Sequence, residues 1–175
     1  MSIWIRAICT RPLGDITPDD LRAGIAERLP RLCALYGEPD PSEVIARLCI
    51  TTYRPDKEGA LEVLEIHYRE DDPERSLDVE RWVDPAMVKE EVDELLEELE
   101  DCEEERVDEV REVLGRAVET AAIELKMSDT ERVGWPLAIA AAAALAARGE
   151  GLIQADGEGW MAPQGDGVEH LLDAD

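Results

Sequence analysis

The chain has 175 residues, 45% of them hydrophobic, which is typical of one globular domain with a core of its own. Its 43 acidic and 18 basic residues give a formal net charge of −25, so nucleic acid and anionic membranes are poor direct partners. The longest apolar run, residues 136–147, is too short to cross a bilayer core of roughly 30 Å as a helix. The N-terminal residues lack the pattern of a secretory signal. We therefore expect a cytoplasmic protein without a membrane contact.

The cysteines and histidines bear on metal binding and catalysis. The four cysteines lie in apolar patterns and are expected to be reduced core residues: Cys9, Cys33, Cys49 and Cys102. They lack the close cysteine or histidine neighbours of a zinc site. The sequence has two histidines, His67 and His170. We therefore predict no metal, no cofactor and no catalytic residue.

The N-terminal part of the chain predicts a strand followed by a helix. Apolar residues alternate over Ser2–Cys9, which indicates a half-buried strand. Thr17 and Pro18 are typical of a helix cap and the first helical position. Pro30 is expected to kink or restart this helix, and Gly37 to end it.

A β-hairpin is predicted over residues 46–69. Two segments rich in β-branched and aromatic residues flank the turn sequence at 55–59. Residues 77–83 are expected to add an edge strand.

Pairing of this hairpin about Lys57 would place Cys49 opposite Glu65 and His67 opposite Arg47. A thiol and an imidazole on one sheet face are the minimum for cysteine nucleophile chemistry. No nucleophile motif surrounds Cys49, so a surface histidine and a core thiol are the preferred interpretation.

Residues 85–126 show the clearest periodicity in the chain. Apolar residues recur at helical spacing through two runs, 88–102 and 107–125, with neither Gly nor Pro between them. One long acidic amphipathic helix with a bend at 101–105 is the first prediction, and a helical hairpin is the second.

The C-terminal part predicts a helix, a hairpin and a tail. Ser128 is typical of a capping box, Pro136 is expected to interrupt or restart the helix, and Gly149 to close it. A tight hairpin follows at 151–163, and residues from about 165 to 175 are expected to form a short loose tail.

The order of elements predicts an α+β fold in a single domain, 1–175. The N-terminal strand and the two hairpins, 46–69 and 151–163, would form a small antiparallel or mixed sheet packed with helices. Those helices include the acidic helix or helical hairpin 85–126.

The acidic segment is the candidate binding surface. Residues 89–112 hold fourteen carboxylates against three cationic side chains. Six carboxylates at steps of three and four make one outward stripe on a helix: Glu90, Glu94, Glu97, Asp101, Glu104 and Asp108. Like charges at this spacing destabilise a helix by roughly 0.2–0.5 kcal/mol per pair. The stripe is therefore either a solvated face or a docking surface for a basic partner, with cation binding as a minor alternative.

These features favour a non-catalytic protein-binding protein of the bacterial immunity or antitoxin type. It would neutralise a basic protein partner, for example a toxin, and an inhibitor that mimics DNA is a variant of the same hypothesis. One alternative is an enzyme that uses carboxylates or a divalent cation, for which Asp156 and Glu158 in the C-terminal turn are a weak calcium signal. A second alternative is an acidic surface adapted to solvation, with another function.

Overall fold

The structure is a computed structural model that describes residues 1–174. The strands are β1 (Ser2–Cys9), β2 (Cys49–Tyr53), β3 (Ala60–His67), β4 (Ser76–Trp82), β5 (Glu119–Lys126), β6 (Leu152–Ala155), β7 (Gly159–Gln164) and β8 (Gly167–Leu172). The α-helices are α1 (Pro18–Leu35), α2 (Ser42–Arg47), α3 (Pro85–Glu98), α4 (Val107–Gly115) and α5 (Gly134–Arg148), and Met127–Asp129 form a short 3-10 helix. No helix in this part of the chain is long and apolar enough to span a membrane.

The described residues form one antiparallel sheet of eight strands in the order β2-β3-β4-β5-β1-β6-β7-β8. The fold is α+β, but the prediction of a small sheet is wrong. β1 pairs with β5 on one side and β6 on the other, so the N-terminal strand joins two meanders into one sheet. β4 lies between β3 and β5 and is therefore an internal strand, not the expected edge strand. Pairings between segments distant in sequence thus make the sheet larger than its hairpins suggest.

The prediction of helix over the whole of 85–126 is also wrong. Two helices, α3 and α4, are followed by the strand β5. The first five residues of β5, Glu119–Ile123, are buried on both faces, whereas Glu124 and Lys126 near its end are exposed. A short apolar run that is buried on both sides cannot be distinguished from a buried helix by periodicity alone.

The break between α3 and α4 has an electrostatic reason. Carboxylates crowd the C-terminal end of α3, where the helix dipole disfavours negative charge. Arg111 of α4 reaches back and donates to the carbonyl oxygen of Leu99 over 2.6 Å. The two helices are therefore joined by a short acidic loop that Arg111 holds closed.

The helices α1 and α5 cover one face of the sheet along almost its whole width. Thr17 caps α1 in a capping box with Asp20, and Pro30 lies inside α1 without ending it. α5 begins at Gly134 and not at the predicted Ser128. The core under these helices includes residues from β1 to β7, such as Ile50, Leu64, Ile123 and Met161.

The helices α3 and α4 cover only half of the opposite face. Their apolar side chains pack on strands β1, β6, β7 and β8, through Ile8, Leu152, Trp160, Leu171 and Leu172. The same face of β2, β3 and β4 has no helix over it among the described residues.

The two predicted hairpins have the following bounds. β2 and β3 pair within 46–69, with Ala46 and Arg47 taken up by α2. β6 and β7 form the second hairpin.

Much of the expected loose tail forms β8, which pairs with β7 and buries Leu171 and Leu172. The single-domain organisation stays a prediction.

Candidate functional site

The six carboxylates of the predicted stripe do not lie on one helix. Glu90, Glu94 and Glu97 lie on α3, Asp101 and Glu104 follow in the loop, and Asp108 lies on α4. All six are exposed. The stripe is therefore divided into an α3 part and a loop and α4 part, because the chain turns after Glu98.

The α3 part keeps its negative charge. Asp108 pairs with Arg111 at 3.2 Å, and Lys89 pairs with Asp93 of its own helix. Within residues 1–174, Glu90, Glu94 and Glu97 form no ion pair. These three residues are called the α3 acidic face below.

Glu91 attaches α3 to the sheet. Its carboxylate accepts from Nε of Arg6 over 2.7 Å and from Oγ1 of Thr120 over 2.9 Å. The role of Glu91 was not predicted from the sequence, although this residue lies between Val88 and Val92 on the apolar side of the helix. A carboxylate inside an apolar helical face requires a buried partner, and that requirement is the signal that could have identified it.

Arg6 extends the same network into the C-terminal hairpin. Its Nη1 donates to Oε1 of Gln154 over 2.6 Å and to Oδ1 of Asp156 over 3.3 Å. Asp156 Oδ2 also accepts from the backbone amide of Trp4 over 2.9 Å. Asp156, one of the two residues of the weak calcium signal, thus receives its donors from the protein itself.

Glu158, the second carboxylate of that turn, contacts the α1 and α5 layer. It accepts from the Tyr36 hydroxyl over 2.8 Å and from Trp135 Nε1 over 3.2 Å. Burial, with the bond to Glu158 as the next cause, raises the pKa of Tyr36 above its usual value. The described residues contain no cluster of three or more side chains suited to a metal ion.

A cleft of about 280 Å³ lies between α3 and the uncovered part of the sheet. Its apolar lining comes from Trp4, Trp82 and Met87, and its acidic lining includes Glu90 and Glu94. Met87 is 39% exposed, and both tryptophans are partly exposed. Two further carboxylates of the lining are paired, Glu91 with Arg6 and Glu80 with Lys57, whereas Glu90 and Glu94 have no ion pair in the described chain. This cleft is called the α3 cleft below.

The α3 cleft continues across the open sheet face. A neighbouring hollow of about 200 Å³ shares Trp4, Glu80 and Ala122 with it. Lys57 donates to Glu80 over 2.6 Å, and this bond raises the pKa of Lys57. The β2–β3 turn therefore forms part of the same surface. This face was not predicted from the sequence, although Asp78, Glu80 and Trp82 alternate with the buried side of β4.

The register of the first hairpin differs from the predicted one by two residues. Cys49 lies opposite His67, and Thr51 lies opposite Glu65. His67 has Thr51 Oγ1 at 3.3 Å and the carbonyl oxygen of Pro73 at 3.0 Å, and Thr51 also donates to Glu65 over 3.0 Å. The His67 imidazole and the Glu65 carboxylate therefore share Thr51 as a hydrogen-bond partner. The predicted pairing of Cys49 opposite Glu65 is wrong.

The cysteines divide between the core and the open face. Burial raises the pKa of Cys9 to about 12 and that of Cys33 to about 11. Cys102 is partly buried, and Cys49 is exposed. The expectation of four core cysteines is therefore wrong for Cys49, because its side of β2 has no helix over it.

A larger cavity of about 730 Å³ lies between α2, the end of β3 and the start of α5. Tyr68 is buried beside it, and Arg132 at its rim has a left-handed φ of 55°. Arg47 and Arg69 also line the cavity but are paired with carboxylates, at 3.3 Å from Glu70 and 2.5 Å from Asp129. Both signs of charge surround this cavity, so its lining does not select one class of ligand.

Comparison of the chain with protein-family models, with curated proteins and with solved structures finds no match. The α3 acidic face and the α3 cleft are therefore interpreted from their own chemistry.

Proposed function

We propose that this chain is a non-catalytic protein-binding protein of the immunity or antitoxin type, which neutralises a basic protein partner by docking it on α3. The observation that supports this proposal is the α3 acidic face: three exposed carboxylates on one helix, with no ion pair in the described chain. Like charges at helical spacing destabilise the free protein, and a basic partner would relieve that repulsion. Complementary charge also raises association rates and discriminates between partners.

The attachment of α3 to the sheet fits a docking role. Val88, Val92 and Leu95 bury one side of the helix, and Glu91 binds Arg6 and Thr120 on the same side. These contacts hold the α3 acidic face, on the opposite side of the helix, at a fixed position relative to the sheet. A rigid surface loses less conformational freedom on binding than a flexible one, so more of the interaction energy appears as affinity.

The test is charge reversal of the α3 acidic face. The double variant Glu94→Lys and Glu97→Lys is compared with Asp71→Lys and Glu74→Lys, which makes the same charge change in the exposed β3–β4 loop. A basic protein captured from the native host by the wild-type chain is purified, and its association is measured at two salt concentrations. We expect about tenfold slower association and a shallower salt dependence for the α3 variant alone. Equal kinetics for the two variants would exclude α3 as the docking element.

A further inference from the structure

We infer that the α3 cleft receives an arginine side chain of the basic partner, stacked on Trp82 and paired with Glu90 and Glu94. This inference rests on the proposed function and names the chemistry of its central contact. It concerns the surface on which α3 and the uncovered sheet face meet, and not the acidic face alone.

The first observation is that this sheet face is uncovered. α3 and α4 pack on β1, β6, β7 and β8, and α3 contributes only the edge of its N-terminal half to the surface above β4 and β5. An antiparallel sheet with one solvated face usually carries polar side chains there. Here Trp4, Trp82 and Met87 lie together in a cleft and remain partly exposed.

The second observation is the chemistry of the cleft walls. Indole rings are the best aromatic partners for cations, and a planar guanidinium both stacks on a ring and donates two hydrogen bonds to a carboxylate. Glu90 and Glu94 line the cleft and have no ion pair within residues 1–174. Trp82 and these two carboxylates therefore supply the two kinds of contact that an arginine side chain uses.

The third observation is that the protein already binds one of its own arginines in this way. The Arg6 guanidinium lies 5.8 Å from the ring centroid of Trp4 and 2.7 Å from Glu91. Trp4, Arg6 and Glu91 all line the same cleft. Trp82, Glu90 and Glu94, which also line it, offer the same combination of ring and carboxylate, and no arginine of residues 1–174 pairs with these two carboxylates.

The net charge selects the occupant among macromolecules. A second copy of the chain would bring another −25 to the interface, and an anionic membrane would be repelled in the same way. A basic protein segment is attracted. Its arginine, with a weakly hydrated guanidinium, is better suited than lysine to a site that removes it from water.

The test uses deca-arginine as the probe, with deca-lysine for comparison, at physiological ionic strength. Affinities are measured for the wild type, for Trp82→Ala and for Tyr53→Ala, which removes another exposed aromatic ring from the same sheet face outside the cleft. We expect at least fivefold weaker deca-arginine binding for Trp82→Ala and less than a twofold change for Tyr53→Ala. The double variant Glu90→Gln and Glu94→Gln should weaken binding as well.

A titration of the wild type followed by the indole NMR signals of its tryptophans gives a second readout that needs no stable variant. The Trp82 signal should shift first, and the signal of the buried Trp160 should not move. Unchanged binding in both cleft variants, or a shift of Trp160 without Trp82, would overturn the cleft while the α3 proposal stands. Equal losses for deca-lysine would overturn the choice of arginine. A wild type that binds neither peptide would overturn the proposed function as well.

Discussion

The two helical layers of this protein meet the sheet in different ways. Eleven of the fifteen residues of α5 are buried, whereas three of the fourteen residues of α3 are buried. α5 and α1 pack on almost the whole width of the sheet, and α3 with α4 on half of it. Apolar burial thus dominates the first layer, while the second combines a narrow apolar contact with the Glu91–Arg6 pair.

This difference separates stability from binding. The layer of α1 and α5 removes a large apolar area from water, which is the main favourable term in folding. The layer of α3 and α4 leaves a carboxylate-rich helix beside an open sheet face, where charge and aromatic rings remain available to a partner. Substitutions in the first layer should therefore change the free energy of unfolding and the protection of buried groups from solvent. Substitutions in the second layer should mainly change interactions between charges.

Thiol reactivity should show the largest contrast between the two faces. Cys9 and Cys33 belong to the layer of α1 and α5, and their pKa values are raised to about 12 and about 11. At pH 8 the fraction of Cys9 present as thiolate is therefore roughly a thousandfold lower than that of an ordinary thiol. Burial also shields the Cys9 sulfur from the reagent. In the folded protein a thiol reagent should modify Cys49 quickly and Cys9 only on unfolding.

The assignment is checked with single variants. Cys49→Ser should remove one equivalent from the fast phase, and Cys9→Ser should leave that phase unchanged. A fast phase that survives in Cys49→Ser at full amplitude would contradict the exposure of this strand face.

The buried ion pair at the end of the α1 and α5 layer should give the largest change in stability. Arg81 and Glu119 lie 2.7 Å apart, with side chains only 3% and 2% exposed. Arg81→Met leaves Glu119 buried without a cation, removes the 2.8 Å ion pair of Arg81 with Glu62, and should lower the free energy of unfolding by about 3–5 kcal/mol, measured by urea denaturation. The double variant Arg81→Met and Glu119→Leu should recover much of this loss. No recovery would mean that the loss comes from the bonds between this pair and the loop after β1, where Leu13 N donates to Glu119 and Arg81 donates to the carbonyl oxygen of Gly14.

Close packing of α1 on α5 should be the next most sensitive feature. A Cβ atom at Gly24 would lie 2.7 Å from Cβ of Ala144. Gly24→Val should therefore destabilise the protein by about 2 kcal/mol through overpacking, measured as a shift of the urea midpoint. Gly115→Val, at the end of α4 with open space around it, is the matched control and should be neutral or slightly stabilising. Similar losses in both variants would indicate a backbone effect.

The sequence predicts features with local causes better than those with distant partners. The strand Ser2–Cys9, the helix cap at Thr17 and the two hairpins follow from neighbouring residues. β5 was missed because its first five residues are buried on both faces and show no alternation. The size of the sheet was missed because β1 pairs with segments more than a hundred residues away.

The same distinction applies to the candidate site. Charge along α3 is visible in the sequence, and Glu90, Glu94 and Glu97 are exposed as expected. The break after Glu98, which separates Asp101 from them, depends on Arg111 in another helix. Trp82 lies three residues before α3, but the cleft also needs Trp4, which the pairing of β1 with β5 brings there from the other end of the sequence, so no spacing in the sequence indicates it.

Removal of the Glu91 charge should loosen α3 without unfolding the α1 and α5 layer. The Arg6–Glu91 pair is about one fifth to one quarter exposed, with side-chain values of 20% and 25%. Glu91→Gln should therefore cost about 1–2 kcal/mol, less than the loss at Arg81. Hydrogen exchange is the measurement: amides of α3 should exchange faster, and those of α5 should keep their protection. Equal acceleration in both helices would mean that the two layers unfold as one unit.

Charge reversal of the α3 acidic face should have the smallest effect on stability, and its sign is opposite to the others. In the variant Glu94→Lys and Glu97→Lys, the first new ammonium group would lie four residues after Glu90, and the second four residues after Asp93. Each such pair is worth roughly 0.2–0.5 kcal/mol, and cations near the C-terminal end of α3 also complement the helix dipole. We expect the free energy of unfolding to rise by about 0.5–1 kcal/mol at low salt.

Added monovalent salt should stabilise the wild type more than the variant, because screening relieves a repulsion that the variant no longer has. Thermal denaturation of both proteins at two salt concentrations makes the comparison. A variant that melts below the wild type would show that Glu94 and Glu97 are held in favourable contacts, and would remove the unrelieved repulsion from the case for docking.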